Sequence, residues 1–295
     1  MPSGLLYGLV AAVGWGLVDV VASVTGKRLG PIAFAAATQS VGLAVFVVLA
    51  IVTRTAIGTT AAGEALLFGA VAAVGYLAAF TALRIGPLAV VSPVMASYGG
   101  LTVVLAVVFR GEHLTAAQWI GVALTTTGIV LAALVLDDGL RKARPVSAGV
   151  AFALIACLGF AFATVGLAAP IQAAGWLPAT VISRFGNVAL VLTFLAVAVL
   201  AKPRALDGAV ARHPDAGRGL IVGLLAVGLL DAAANTSFAV GLERSETWMV
   251  GLASSFGPAL AIVFAVLALR ERPRPTQWLG LAALGLGVVV LALPI

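Results

Sequence analysis

The chain has 295 residues, of which 62% are hydrophobic and 9% charged, whereas soluble domains carry about a quarter charged residues, so water is not the main solvent of its surface. Its formal net charge of +6 comes from Lys and Arg scattered through the connections rather than gathered on one face, which speaks against nucleic acid and for membrane topology. The single cysteine, Cys157, excludes an intramolecular disulfide and a multi-cysteine metal site, and no cofactor or metal is expected.

The first apolar run, Gly4 to Thr25, precedes the first basic side chain, Lys27, and is too long for a secretory signal core, so it reads as a retained membrane helix. Asp19 lies well inside it, on a stripe with Gly8, Ala12, Trp15 and Ser23 at helical spacing. An ionisable group inside a membrane helix costs on the order of 2.5 to 3.5 kcal/mol, so it faces the bundle interior and serves either a site or a buried structural pair. Runs at 31–53 and 62–84 follow, and a fourth at 88–109 is interrupted by Pro93 and Gly99-Gly100. Gly111-Glu112-His113-Leu114-Thr115 then forms a tight connection, in which a carboxylate followed by Thr is expected to cap the next helix. That helix is the fifth run, 115–136, with Gln118 and Gly121 near its start.

The second half carries runs at 147–169, 177–200, 219–242, 247–269 and 276–293. Cys157 in the sixth run is expected to be a small core filler. In the seventh, Arg184 shares a face with Thr180 and Asn187; in the eighth, Asp231 stands mid-helix with Gly228 before it and Asn235 one turn on. The ninth is broken by Gly257-Pro258, and Glu271, set like Glu112 but followed by Pro273, leads into the tenth with Gln277 and Gly280. A helix crosses the roughly 30 Å hydrocarbon layer with about 20 apolar residues, and backbone groups without water must bond within helices. The alternating pattern of a membrane barrel is absent. The expected fold class is therefore an all-α integral membrane protein with ten transmembrane helices. Trp119, Trp176, Trp248 and Trp278 fall near predicted helix ends, where indoles favour the interface; Trp15 is deeper, one turn from Asp19, and is a candidate for a cavity wall.

Glu112, Gln118, Trp119, Gly121, Ala123, Gly128 and Val130 recur as Glu271, Gln277, Trp278, Gly280, Ala282, Gly287 and Val289, each 159 residues later (277 − 118). Gly4, Gly14 and Gly30 recur as Gly149, Gly159 and Gly175 at 145 (159 − 14), and the excess of 14 (159 − 145) is placed in the polar loop Ala201 to Gly219. Two five-helix copies are thus expected, at 1–136 and 147–295, joined by a loop at 137–146. Five crossings is an odd number, so the second copy is inverted, the plan of many secondary transporters. The symmetry mates are Thr164 for Asp19, Ala72 for Asp231 and Gln39 for Arg184, so the fold does not require charge at those places. The acids are candidates for binding a cationic group or a proton, and Arg184 for pairing with a solute carboxylate. Gly99 and Pro258 are equivalent, and paired breaks point to a midplane site near Ser97, Tyr98, Ser254 and Ser255, or else to close packing and kinks.

The stretch ALRIGPLAVVSPVMASYGG, followed by RGEHLTAAQWIGVALTTTGIVLAAL, resembles the EamA repeat of the drug/metabolite transporter superfamily. The second copy, SSFGPALAIVFAVLALRERPRPTQWLGLAALGLGVVVLAL, is similar, with Arg270 in place of Gly111 and Pro273 in place of Leu114. The resemblance implies a ten-helix inverted-repeat fold and transport or export of metabolites, amino acids or drugs. Most of the Lys and Arg lie on the odd-numbered connections, with only Arg54, Arg110 and Arg244 on the even ones. The positive-inside rule then turns both termini outward, while the resemblance implies both inside.

The leading functional reading is a secondary transporter in a bacterial cytoplasmic membrane, with a small-molecule solute and the lipid bilayer as partners and either protons or a second solute for coupling, working as a monomer or homodimer. No GxxxxGK loop is present for ATP-driven pumping. A membrane scaffold or regulator is the alternative. An enzyme is the least favoured class, because both histidines, His113 and His213, lie in loops away from any nucleophile or ligand cluster.

Overall fold

The computed structural model describes residues 3–25, 29–86, 91, 94–133, 148–201, 214–257 and 275–293. Among them are helices α1 (Ser3–Thr25), α2 (Pro31–Val52), α3 (Ala62–Ile85), α4 (Tyr98–Arg110), α5 (Ala116–Ala133), α6 (Ala148–Ala174), α7 (Trp176–Ala201), α8 (Pro214–Arg244), α9 (Thr247–Ser254) and α10 (Pro275–Ala292). Six are long and apolar enough to cross a membrane, namely α1, α2, α3, α6, α7 and most of α8. Shorter apolar helices run over Val94–Arg110, Ala116–Leu131 and Trp278–Ala292. The ninth predicted run shows only α9 and a turn at Ser255–Phe256; Pro93, Pro258, Glu271, His213, the loop at 202–213 and the side chain of Gln277 lie outside the described residues.

The outward faces are hydrocarbon. On α1, Leu6, Val10, Val13, Leu17 and Val20 repeat at intervals of three and four and are all exposed, a stripe that water would penalise and lipid accepts. Many hydroxyls inside the bundle bond to their own helix, as when Thr38 donates to the Phe34 carbonyl at 3.0 Å and Thr125 to that of Gly121 at 2.8 Å. Such back-bonding satisfies a polar group where no water can.

The helices pack in pairs that exchange under a two-fold relation. Helix α1 lies along α8 as α6 lies along α3; α1 meets α9 as α6 meets α4; α2 meets α8 as α7 meets α3. The pairs α2 with α7, α4 with α9 and α5 with α10 are their own mates and so lie about the axis. Close approaches follow the same rule: Gly14 faces Ala234 while its mate Gly159 faces Gly75, and Gly69 meets the Ser183 carbonyl while Gly228 meets that of Thr38. Both sequence offsets, 145 (159 − 14) and 159 (234 − 75), therefore hold in space, and the change between them falls between α7 and α8.

The two copies run in opposite directions. The start of α1 meets the end of α8, with Ser3 Oγ 2.8 Å from Ser245 Oγ and Arg244 donating to the Tyr7 hydroxyl at 3.1 Å. The last turn of α6 is at the same end, where Gln172 donates to the Leu242 carbonyl at 3.2 Å. Helix α1 therefore begins where its counterpart α6 finishes.

Helices α5 and α10 touch through glycines of the repeated motif. A Cβ on Gly128 would stand 2.8 Å from the Gly280 carbonyl oxygen, and one on Gly287 would stand 2.9 Å from that of Gly121. Gly128→Val is accordingly expected to lower stability by about 1–3 kcal/mol through overpacking. Gly285→Ala, on the open side of α10 where no atom lies within 4 Å, is the control, expected to be neutral or stabilising. Thermal unfolding in detergent compares the two.

Candidate functional site

Between the repeats lies a cavity of about 170 Å³, close in size to an engineered protein cavity of about 150 Å³ that holds benzene. Its walls pair across the axis: Trp15 with Phe160, Asp19 with Thr164, Tyr76 with Asn235 and Ala79 with Phe238. The aromatic rings interlock, with centroids 5.2 Å apart for Trp15 and Phe238, 5.2 Å for Tyr76 and Phe160, and 6.0 Å for Tyr98 and Phe160. An apolar hollow with a few placed polar groups is the usual form of a small-molecule site.

A charged cluster closes one wall. Arg184 Nη2 donates to Asp231 Oδ2 at 2.8 Å, and Nη1 donates to Gln39 Oε1. The guanidinium also lies 5.7 Å from the Phe46 ring centre and 6.0 Å from that of Tyr76, a favourable placing for a cation. The other Asp231 oxygen, Oδ1, accepts from Tyr76 at 2.8 Å, Trp15 at 3.1 Å and Asn235 at 3.1 Å. Arg184 and Gln39 are symmetry mates that touch on the axis. Where symmetry sets a second acid stands Ala72, and Gln39 Nε2 is buried with no hydrogen-bond partner.

Of the residues singled out in the sequence, Trp15, Asp19, Tyr98, Arg184, Asn187, Asn235, Ser254 and Ser255 all line the cavity. Asp231 does not: it is 1% exposed and sits behind Trp15, Tyr76 and Asn235. Asp19 is half-buried and has no hydrogen-bond or ion-pair partner among the described residues. Asn187 is 2% exposed, and its Oδ1 is unpartnered.

Several expectations are corrected. Ser97 is off the cavity wall; it donates to the Val94 carbonyl at 2.6 Å and faces the buried Cys157 Sγ at 3.5 Å. Gly99 follows the close-packing alternative, because a Cβ there would strike Ser255 in the turn after α9. Glu112 caps a helix of the other repeat rather than the next one, accepting from the N–H groups of Thr247 and Trp248 at 3.0 and 2.9 Å. Helix α5 is capped instead by Thr115 and Gln118, which exchange backbone-to-side-chain bonds of 3.2 and 2.8 Å, a capping box. Gly111 ends α4 at φ 65, a left-handed conformation that glycine adopts without strain. Trp119 and Trp278 are exposed near helix ends, but Trp248 is fully buried and donates to Glu246 at 2.8 Å. Arg184 is held by Asp231 and Gln39 rather than free for a carboxylate.

Tyr76, Phe160 and Phe238 were not identified from sequence. Uncharged aromatics in an apolar chain carry no individual signal. The repeat carries one nonetheless, since Tyr76 is the mate of Asn235 and Phe160 the mate of Trp15.

The EamA-like transporter family matches in two segments, residues 2–134 and 147–293. A crystal structure described only as that of a protein superposes with a TM-score of 0.73 at 19% identity, covering 98% of this chain and 96% of that one; at that identity the likeness is one of fold. No curated protein matches the sequence.

Proposed function

Because the chain belongs to the EamA-like transporter family and is a multi-pass membrane protein, we propose that it carries a small organic solute across a bacterial cytoplasmic membrane by alternating access, with proton movement coupled through Asp19. The observation that carries this reading is the cavity, whose walls come from both inverted copies and lie among membrane-length helices. A site on the axis between such copies changes the side it faces when the copies exchange conformations. An unpaired carboxylate between apolar walls needs a positive partner, which a proton or a guest supplies. Trp15, Tyr98, Asn187, Asn235, Ser254 and Ser255 shape the space, while the pair of Arg184 and Asp231 holds one wall. In this reading ten helices span the bilayer as repeats 1–136 and 147–295 joined by 137–146. The chain acts as a monomer or homodimer without a cofactor, and the solute leaves chemically unchanged.

Vesicles containing the purified protein and a pH-sensitive dye are the test, challenged with amino acids, sugars, nucleosides, polyamines and cationic drugs. At least one member is expected to move protons. Asp19→Asn is expected to cut that rate by about tenfold or more, equivalent to ~1.4 kcal/mol, with thermal unfolding unchanged because the carboxylate has no partner to lose among the described residues. A panel that produces no accelerated solute or proton movement ends the transport reading; wild-type rates in Asp19→Asn remove Asp19 from it.

A further inference from the structure

The polar groups on the cavity wall share a bias. Thr164 donates to the Phe160 carbonyl at 2.8 Å, Ser183 to Thr180 at 3.0 Å, Ser254 to Gly251 at 2.9 Å and Ser255 to Leu252 at 2.7 Å. Each hydroxyl hydrogen is thus turned back into its own helix, and lone pairs are what remain for a guest. The Tyr98 hydroxyl lies 2.8 Å from Ser254 Oγ, whose hydrogen is already engaged, so Tyr98 is the donor there. The Trp15 and Tyr76 donors and the Asn235 amide are engaged by Asp231. Beyond these, the wall offers as side-chain donors only the Asn187 amide and the remaining N–H groups of Arg184, among the described residues. A wall whose hydroxyl, indole and Asn235 donors are occupied while lone pairs stay free suits a guest that donates.

Charge points the same way. Arg184 and Asp231 neutralise each other at 2.8 Å, which leaves Asp19 as the one uncompensated charge on the wall among the described residues. The same wall carries Trp15, Tyr76, Phe80, Tyr98, Phe160 and Phe238, aromatic rings of the kind whose faces attract a desolvated cation. The space matches a guest of about benzene size with a small head group.

We infer that the cavity binds a small organic monocation, an ammonium carried on an apolar or aromatic body, held by the Asp19 carboxylate. The inference rests on the transporter reading and narrows its solute class. A primary ammonium presents three hydrogens, which the carboxylate and the free lone pairs of neighbouring hydroxyls accept, while the body fills the aromatic hollow. An anion of the same shape meets Asp19 and, among the described residues, finds free side-chain donors only at Asn187 and Arg184.

Calorimetric titration of the full chain in detergent, with benzylammonium, benzyl alcohol and benzoate as probes, tests this without any flux. Benzylammonium is expected to bind about tenfold or more tightly than benzyl alcohol, a gap of ~1.4 kcal/mol, and benzoate to give no binding heat. Asp19→Asn is expected to erase the preference for benzylammonium while leaving benzyl alcohol unaffected, and Asp19→Glu to retain it. Equal affinity for the cation and the alcohol, binding of benzoate at least as tight as that of benzylammonium, an unchanged preference in Asp19→Asn, or no binding of any probe at millimolar concentration overturns the inference. Binding and transport fail separately: protein that binds benzylammonium but moves nothing keeps the site and loses the carrier, and protein that moves only neutral or anionic solutes does the reverse.

Discussion

Asp231→Ala is expected to lower stability by about 3–5 kcal/mol, and a second substitution, Arg184→Gln, is expected to return most of that loss. Asp231 is 1% exposed and accepts bonds from Arg184, Tyr76, Trp15 and Asn235. Its removal leaves a 4% exposed guanidinium without a counter-charge, and an unpaired buried cation is far more costly than no cation at all. The double variant takes both residues to the identities of their symmetry mates, Ala72 and Gln39, a combination that the first half of this chain already tolerates. Trp15, Tyr76 and Asn235 lose an acceptor in the single and the double variant alike, so recovery is incomplete, but all three line the cavity and are not left sealed in the core. Thermal or denaturant unfolding of the wild type, both single variants and the double variant closes the cycle. Additive losses would show that the two charges do not depend on each other.

Glu112→Ala is expected to cost about 2–4 kcal/mol: two charge-assisted bonds contribute about 1.5–3 kcal/mol each, and water replaces part of that at a side chain that is 12% exposed. Helix α9 begins after Glu246, which makes no side-chain cap of its own. Its first free N–H groups, on Thr247 and Trp248, are taken by the Glu112 carboxylate from the opposite repeat. A negative group at a helix start also meets the positive end of the dipole. Arg110 Nε holds that carboxylate at 3.3 Å and Arg110 Nη2 donates to Gln172 at 2.6 Å, so the loss extends to the contact with α6. Glu112→Gln keeps one acceptor oxygen and is expected to lose about half as much. Hydrogen exchange at Thr247 and Trp248 reads the cap directly, and protection unchanged in Glu112→Ala would refute its assignment.

The sequence announced the helices because hydrocarbon leaves a backbone no other choice, and it announced the repeat because glycines at close helix contacts cannot drift. Gly14 and Gly159, or Gly121 and Gly280, keep their spacing for the same steric reason that makes them visible. The charged members of the site were legible too, since Asp19, Arg184 and Asp231 are conspicuous in an apolar chain. Their division of labour was not. Nothing in the spacing of Arg184 and Asp231, 47 residues apart, tells that they pair with each other and not with Asp19. Glu112 shows the same limit: the capping chemistry follows from the residue type, but the helix it serves lies 135 residues away, and only folding brings the two together. Ser97 was misassigned because one residue along a helix rotates a side chain by about 100°, enough to move it from the cavity to Cys157.

Two identical polypeptides that met around a shared hollow would have to duplicate every charge placed on its lining. Covalent fusion of the inverted copies releases this chain from that rule, and it sets Asp19 against an uncharged Thr164. Under the proposed cycle a single elementary charge then re-orients per turnover, and the membrane voltage acts on it with about 2.3 kcal/mol per 100 mV. Whether the acid crosses bare or accompanied decides if the carrier generates current, so the stoichiometry of the machine is written in one unmatched pair of side chains.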